Sequence, residues 1–266
     1  MDLLLDRRVS ERGIHVVIRV NSRQNTRMVS RSSVSSATPV TFEATDGLLV
    51  RADLYESRER RGCLVLCHRS HFNRGEYAEV APRLQQRGYC CLAIDQRSGM
   101  NVLGYVNETY SRAKAGRFAT GYLAARPDIE AAIQHALVRD RQVPIVLVGS
   151  SYSAALALVI ASRSSAVKAV AAFSPGEYLK GVVVSAVVAG LEVPTFVTGA
   201  RKEIPDIKRM MRAVSRDVMT LHTPRVEGAH GARCLWERTA GSEGHWTAFT
   251  GFLDRVCRVP GRRVAP

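Results

Sequence analysis

No run in the 266-residue chain approaches the roughly 18 consecutive apolar residues that a membrane-spanning helix requires. The longest apolar stretch, residues 181–191, is about half that length and is interrupted by Ser185 and two glycines. A secretory signal would need a basic start, an apolar centre and a small-residue cleavage site. Met1 to Asp6 offers two acids instead. There is no Cys-x-x-Cys pair, which argues against a zinc ribbon or thioredoxin-like chemistry. The six cysteines include the neighbours Cys90 and Cys91, which on a strand point to opposite faces. That is poor geometry for a disulfide framework, so the cysteines are expected to be small core residues in a reducing, cytoplasmic protein.

Lysine is scarce as well, supplying only five of the 38 basic residues, yet the net charge reaches +14. A basic excess of this size raises nucleic acid or an anionic membrane as a partner. Its distribution argues otherwise. Residues 1–38 carry seven Arg against three acids and residues 254–266 carry four Arg against one, leaving +7 on residues 39–253. The two tails have no aromatic interleaving or amphipathic pattern, so no specific nucleic-acid partner is expected. Residues 1–38 are rich in Arg and Ser, a composition shared with transit peptides. They are expected to be a disordered leader, or an extension ahead of a start at Met28. Residues 254–266 are expected to be a basic tail.

Between the tails, short apolar runs alternate with longer amphipathic segments. Residues 41–44 and 48–55 flank an Asp46-Gly47 turn and read as a hairpin. Strands follow at 63–67, 90–94, 144–148, 167–173, 194–198 and 217–222, with helices at about 76–87, 127–139, 151–161, 178–189, 205–214 and 243–255. Continuous Val/Ile/Leu strands alternating with helices require a parallel sheet covered on both faces. One doubly wound α/β domain over residues 39–253 is therefore expected. Ligand sites in such sheets lie beyond the carboxyl ends of the strands. The longest stretch without a clear element is 96–125, and loops of that length are more often functional than passive.

The sharpest motif, Gly149-Ser150-Ser151-Tyr152-Ser153, carries the chain from a strand straight into the apolar helix Ala-Ala-Leu-Ala-Leu. It resembles the nucleophile elbow, G-x-S-x-G, of the α/β-hydrolase family, with Ser153 where the pattern has a second Gly. Read alone, Ser151 could equally be the N-cap of the following helix. Gly228-Ala229-His230-Gly231, placed after the strand at 217–222, is similar to the histidine loop of dienelactone-hydrolase-like members. The resemblance implies a serine hydrolase with Ser151 as nucleophile and His230 as base; His245, at the start of the last helix, is the weaker alternative. For the acid it points to Glu203, with Asp206 and Glu177 as competitors. The oxyanion donors it implies are the Tyr152 N–H and the N–H of either Arg69 or Ser70, in a segment where Arg69 replaces the family's Gly after His68.

His68 and His71 have metal-like spacing, but no helix or acidic ligand accompanies them, and they are expected to hold the loop in shape. Asp95 and Arg97, in a D-x-R-G-like segment, are expected to fix loop geometry through an ion pair or backbone bonds. About 20 residues separate the strands at 167–173 and 194–198, too few for an inserted helical lid. That spacing suggests small or medium substrates, and the resemblance implies that they are esters, hydrolysed with no cofactor and no metal. Arg69, Arg74 and Arg97 near the expected site mouth suggest substrates bearing a carboxylate. The departures at Arg69, Ser153 and Glu203 keep a second possibility open, a non-catalytic binding protein built on the same fold.

Overall fold

The computed structural model describes residues 5–10, 13–18 and 37–257, and the chain forms two units, 1–34 and 35–266. In the first unit β1 (Leu5–Ser10) and β2 (Gly13–Ile18) pair antiparallel, Leu5 opposite Ile18. So the described part of the segment expected to be a disordered leader is a hairpin. The rest of it, Met28 included, and the tail from 258 onward lie outside the described residues.

The second unit is the doubly wound α/β domain. Its strands are β3 (Thr38–Glu43), β4 (Leu49–Tyr55), β5 (Cys63–Cys67), β6 (Cys90–Ile94), β7 (Ile145–Ser150), β8 (Val167–Phe173), β9 (Thr195–Thr198) and β10 (Met219–Leu221). They form one sheet in the order β10-β9-β8-β7-β5-β6-β4-β3, parallel from β10 to β6, with β4 and β3 antiparallel at the edge. Burial follows the two-residue period of a strand covered on both faces. In β5 the side chains of Cys63, Val65 and Cys67 enter one core and those of Leu64 and Leu66 the other. All six cysteines are unpaired, and five of them are buried.

The helices are α1 (Val80–Gln85), α2 (Glu108–Ala115), α3 (Arg126–Arg139), α4 (Tyr152–Ala161), α5 (Val184–Val187), α6 (Ile204–Met210) and α7 (Ser242–Val256). Ile129 and Ile133 of α3, every apolar residue of α4, and Ile207 of α6 fill one face. Leu84 of α1 and Phe249, Phe252 and Leu253 of α7 fill the other. All ten residues of α4 are buried, as a helix apolar on every side must be. α7 continues to Val256 and Cys257 is buried, past the boundary expected at 253.

Three elements differ from expectation, the first being the helix expected at 178–189, which is the short α5 followed by a 3₁₀ turn, Val188–Gly190. The helix expected at 76–87 is a 3₁₀ turn, Arg74–Tyr77, followed by the separate α1. Asn73 causes the break, because its carboxamide caps the turn through the Gly75 N–H and donates to the carbonyls of Met100, Val102 and Tyr105. The unassigned stretch 96–125 contains α2, capped by Asn107. Only Thr109 and Ala113 of α2 are buried, too few to leave an apolar period.

Asp95 and Arg97 belong to the scaffold, as expected, but neither pairs with the other. Asp95 accepts from the N–H and the guanidinium of Arg74, and Arg97 is clamped between Asp128 and Asp46. Arg97 and Asp128 are almost wholly shielded, with side chains 3% and 0% exposed. Removing one partner of such a pair leaves an uncompensated buried charge. Asp128→Ala is therefore expected to lower the unfolding free energy in urea by about 3–5 kcal/mol. A loss below about 1 kcal/mol would mean the pair behaves as a surface contact.

Candidate active site

The site is built where β7 meets α4. Ser151 occupies the connecting position with φ 62° and ψ −122°, a backbone region that a side-chain-bearing residue rarely adopts. Its N–H is held by the Phe173 carbonyl at 2.8 Å. A Cβ on Gly149 would stand 2.3 Å from the Ser153 carbonyl oxygen and 2.6 Å from the Ala154 Cα, so only glycine fits there. The second flank tolerates Ser153 because its hydroxyl is used: it donates to the His68 carbonyl at 2.6 Å and accepts from the Gln96 carboxamide at 2.9 Å. The departure from the G-x-S-x-G pattern thus ties the elbow to the loop after β5. Ser151 is not a side-chain N-cap of α4.

The structure brings Ser151, His230 and Glu203 into one hydrogen-bonded line. His230 Nδ1 lies 2.5 Å from Glu203 Oε1, and its Nε2 lies 2.8 Å from Ser151 Oγ. A carboxylate only accepts, so Nδ1 carries the proton and Nε2 is left to accept from the Ser151 hydroxyl. Burial would raise the Glu203 pKa, but hydrogen bonds from His230, Ser174 and the Ala200 N–H hold it below the usual carboxylate value. Glu203 lies in a 3₁₀ turn just past β9. Ser174, at φ 56° beyond β8, donates to Glu203 at 2.6 Å and accepts from the Gly231 N–H at 2.8 Å, joining the acid to the histidine loop.

The competing acids are engaged elsewhere. Glu177 accepts from the N–H groups of Val184 and Ser185 at the start of α5, and Asp206 pairs with Arg209. His245 is buried against His222 and hydrogen-bonds Thr198 Oγ1, and burial lowers its pKa to about 4. His68 holds the loop as expected: Nδ1–H donates to the Arg69 carbonyl and Nε2 accepts the Gln96 N–H, at 2.8 and 2.9 Å. It is wholly buried, and its pKa is depressed to about 4. His71 is exposed, and no metal-ligating cluster occurs among the described residues.

Of the two candidate donors in the loop after β5, the Arg69 N–H is already given to Glu76 Oε2 at 2.7 Å. The Ser70 N–H makes no hydrogen bond within the described residues, and its side chain meets the Tyr122 hydroxyl at 2.7 Å. Tyr122 stacks on Tyr152, with ring centroids 4.3 Å apart, and the Tyr152 N–H opens α4, where backbone donors have no intrahelical partner. The Arg74 and Arg97 guanidiniums are consumed by Asp53, Asp95, Asp46 and Asp128, so the expected trio of cations at the mouth reduces to one. Arg69 has no ion-pair partner among the described residues and lies over the Phe72 ring at 5.3 Å. Burial and the Glu203 charge push the Tyr178 phenol above its usual value while Arg69 opposes them, so both charges lie close to this half-exposed ring.

Sequence reading missed Glu76, Ser150 and Ser174. Ser174 had a signal, since a polar residue directly after a strand end sits where ligands bind. Glu76 and Ser150 had none, because each looks like an ordinary helix or strand residue until the loops meet.

No curated protein matches the chain. Among solved structures, a dienelactone hydrolase from Anabaena variabilis is similar with a TM-score of 0.65 and 16% identity, over 84% of this chain and 99% of that one. An esterase from Pyrococcus furiosus is similar with a TM-score of 0.64 and 17% identity, over 84% and 94%. Both likenesses are of fold. The family model described as serine aminopeptidase, S33, matches residues 58–219, more than half of the chain, a segment that includes Ser151 and Glu203 and ends before His230. No helix among the described residues is long and apolar enough to cross a membrane. The chain therefore belongs to the serine aminopeptidase S33 family of α/β hydrolases.

Proposed function

We propose that this α/β hydrolase cleaves carboxylic esters of small molecules through an acyl-enzyme on Ser151, with His230 as general base and Glu203 as the acid that orients it. The observation that carries the reading is the continuous line from Ser151 Oγ through the His230 ring to Glu203, at 2.8 and 2.5 Å. In this scheme Nε2 takes the Ser151 proton as Oγ attacks the ester carbonyl. Glu203 stabilises the imidazolium, and the Tyr152 and Ser70 N–H groups receive the oxyanion. The proton passes to the leaving alkoxide, and His230 then activates the water that releases the acid. No step calls for a cofactor or a metal. The short connection between β8 and β9, with only α5 and a 3₁₀ turn in it, leaves the site without a large lid and suits small or medium substrates.

Arg69 supports a narrower substrate class. A guanidinium without an ion-pair partner among the described residues, carried by the loop that holds Ser70 and close to Tyr178, is matched best by a carboxylate on the substrate. A cytoplasmic location is part of the same proposal, resting on the unpaired cysteines.

Ser151→Ala is expected to reduce turnover of a short p-nitrophenyl ester to background and to abolish labelling by a fluorophosphonate, with an unchanged circular dichroism spectrum. Undiminished labelling of that variant would refute the assignment. In a screen of ester, lactone and aminoacyl amide substrates, the esters are expected to turn over fastest. Wild type should favour the p-nitrophenyl monoester of a dicarboxylic acid over a neutral ester of equal length, and Arg69→Met should reduce that preference about tenfold, equivalent to about 1.4 kcal/mol. Equal kcat/KM for the two esters in wild type would remove the anion preference and leave the Ser151 chemistry standing.

A further inference from the structure

Glu76 is a carboxylate with no exposure to solvent and no role in the line of groups just described. It sits in the 3₁₀ turn Arg74–Tyr77, anchored by the Tyr77 hydroxyl on the Cys67 carbonyl and by the Trp236 indole N–H on the Glu76 carbonyl. Its Oε2 accepts the Arg69 N–H at 2.7 Å, and its Oε1 accepts the Ser150 hydroxyl at 2.8 Å. Ser150 Oγ in turn accepts the Ala232 N–H at 2.9 Å. The loop preceding Ser70 and the loop following His230 are therefore joined through one buried carboxylate. Gly231 presses into the same spot, where a Cβ would lie 2.3 Å from Ser150 Oγ and 3.6 Å from Glu76 Oε1.

We propose that Glu76 is a positioning residue whose ionised carboxylate clamps the oxyanion loop to the histidine loop and so sets Ser70 and His230 around Ser151. Both oxygens accept from donors in this arrangement, one of them the Arg69 N–H that can only donate, so the charged form satisfies every contact as it stands. A proton on Glu76 would meet either the Arg69 N–H or the Ser150 O–H. A proton on Glu76 Oε1 would turn Ser150 Oγ from donor to acceptor and leave the Ser150 hydrogen without this partner, while the bond from Ala232 stays.

The groups facing this carboxylate are Arg69 and Ser150 from neighbouring loop and strand, His230 from the histidine loop, Tyr77 from its own turn and Cys234 from the 3₁₀ helix after His230. Burial raises its pKa to about 7, against the lowering effects of the Arg69 and Ser150 hydrogen bonds and of the Arg69 and His230 charges. A carboxyl whose folded pKa is raised binds more protons folded than unfolded between its ordinary value and about 7. Stability from this group consequently falls as pH rises through that window. The charged form thus costs folding free energy in the pH range where the clamp works, as expected of a group kept for positioning.

The kinetic arm of the test rests on the serine-hydrolase reading; the spectroscopic arm does not. In wild type the backbone amides of Arg69 and Ala232, followed by NMR on the full chain, are expected to titrate together with a midpoint near pH 7. Glu76→Gln should abolish that shared titration, keep its melting temperature at pH 8 at or above that of wild type, and lower kcat on a short ester about 100-fold with KM little changed, the size of a lost oxyanion donor. Its pH–kcat profile should lose one ionisation on the acid side, and Glu76→Asp should recover part of the rate. Ser150→Ala cuts the clamp at its second link and should remove the titration from Ala232 while leaving it at Arg69.

Wild-type kcat and pH profile in Glu76→Gln, or a shared titration that survives in it, would overturn the proposal. Should that variant not fold, Ser150→Ala with an unchanged Ala232 titration overturns it equally. If wild type is neither labelled nor active, the serine-hydrolase reading fails, and the amide titrations still decide whether the clamp exists.

Discussion

The left-handed backbone at Ser151 is the constraint around which the rest of the domain is arranged. At φ 62° the residue turns the chain from β7 into α4 within one step, and that leaves no room for a side chain at position 149. The strain is held by rigid surroundings on every side. The Ser151 N–H is fixed to β8, all of α4 is buried, and Ser153 binds the elbow to the His68 carbonyl. A serine lifted out of the sheet in this way meets His230, and through it Glu203 and Ser174 beyond the carboxyl ends of β8 and β9. The histidine loop completes the line because Gly231 can approach Ser150 without a side chain.

Charge in this protein is organised by burial. The cations that look available in the sequence are mostly spent on holding loops: Arg74 on Asp53 and Asp95, Arg97 on Asp46 and Asp128. Their planar forks match carboxylates, which lets one side chain fasten two segments of the chain. Glu76 performs the same task with the opposite sign, as an acceptor for backbone and hydroxyl donors from two loops. Of the three arginines that the sequence placed at the mouth, only Arg69, lying over Phe72, has no ion-pair partner among the described residues. The large positive balance of the chain is therefore a weaker guide to its partners than Arg69, which has no ion-pair partner among the described residues.

Much of the fold was legible because both-face burial leaves a direct trace in sequence. Strands β5, β6 and β8 have the limits read from their apolar runs, and the nucleophile elbow was visible because its steric demands select small residues at fixed spacing. Helix α2 was not legible, since Asn107, Thr109 and Ala113 hold it in place without an apolar stripe. The division of the segment after β5 into a 3₁₀ turn and α1 was hidden for a related reason. It depends on Asn73 reaching three carbonyls about 30 residues away. Likewise, the sequence suggested an Asp95–Arg97 interaction, while the side chains that satisfy both are brought in from the 3₁₀ turn Arg74–Tyr77, α3 and the turn after β3.

The sequence by itself determined the alternation of strand and helix, because local sterics and burial period act over a few residues, while the candidates Ser151, His230 and Glu203 came from motifs that resemble those of the α/β-hydrolase family. It left open which carboxylate meets the histidine and which backbone donor is free. Those choices belong to tertiary structure. Glu177 is drawn off by the backbone of α5, Asp206 by Arg209, and the Arg69 N–H by Glu76. A hydrogen-bonding group can serve only where its other partners leave it uncommitted, and those partners come from segments far apart in the chain.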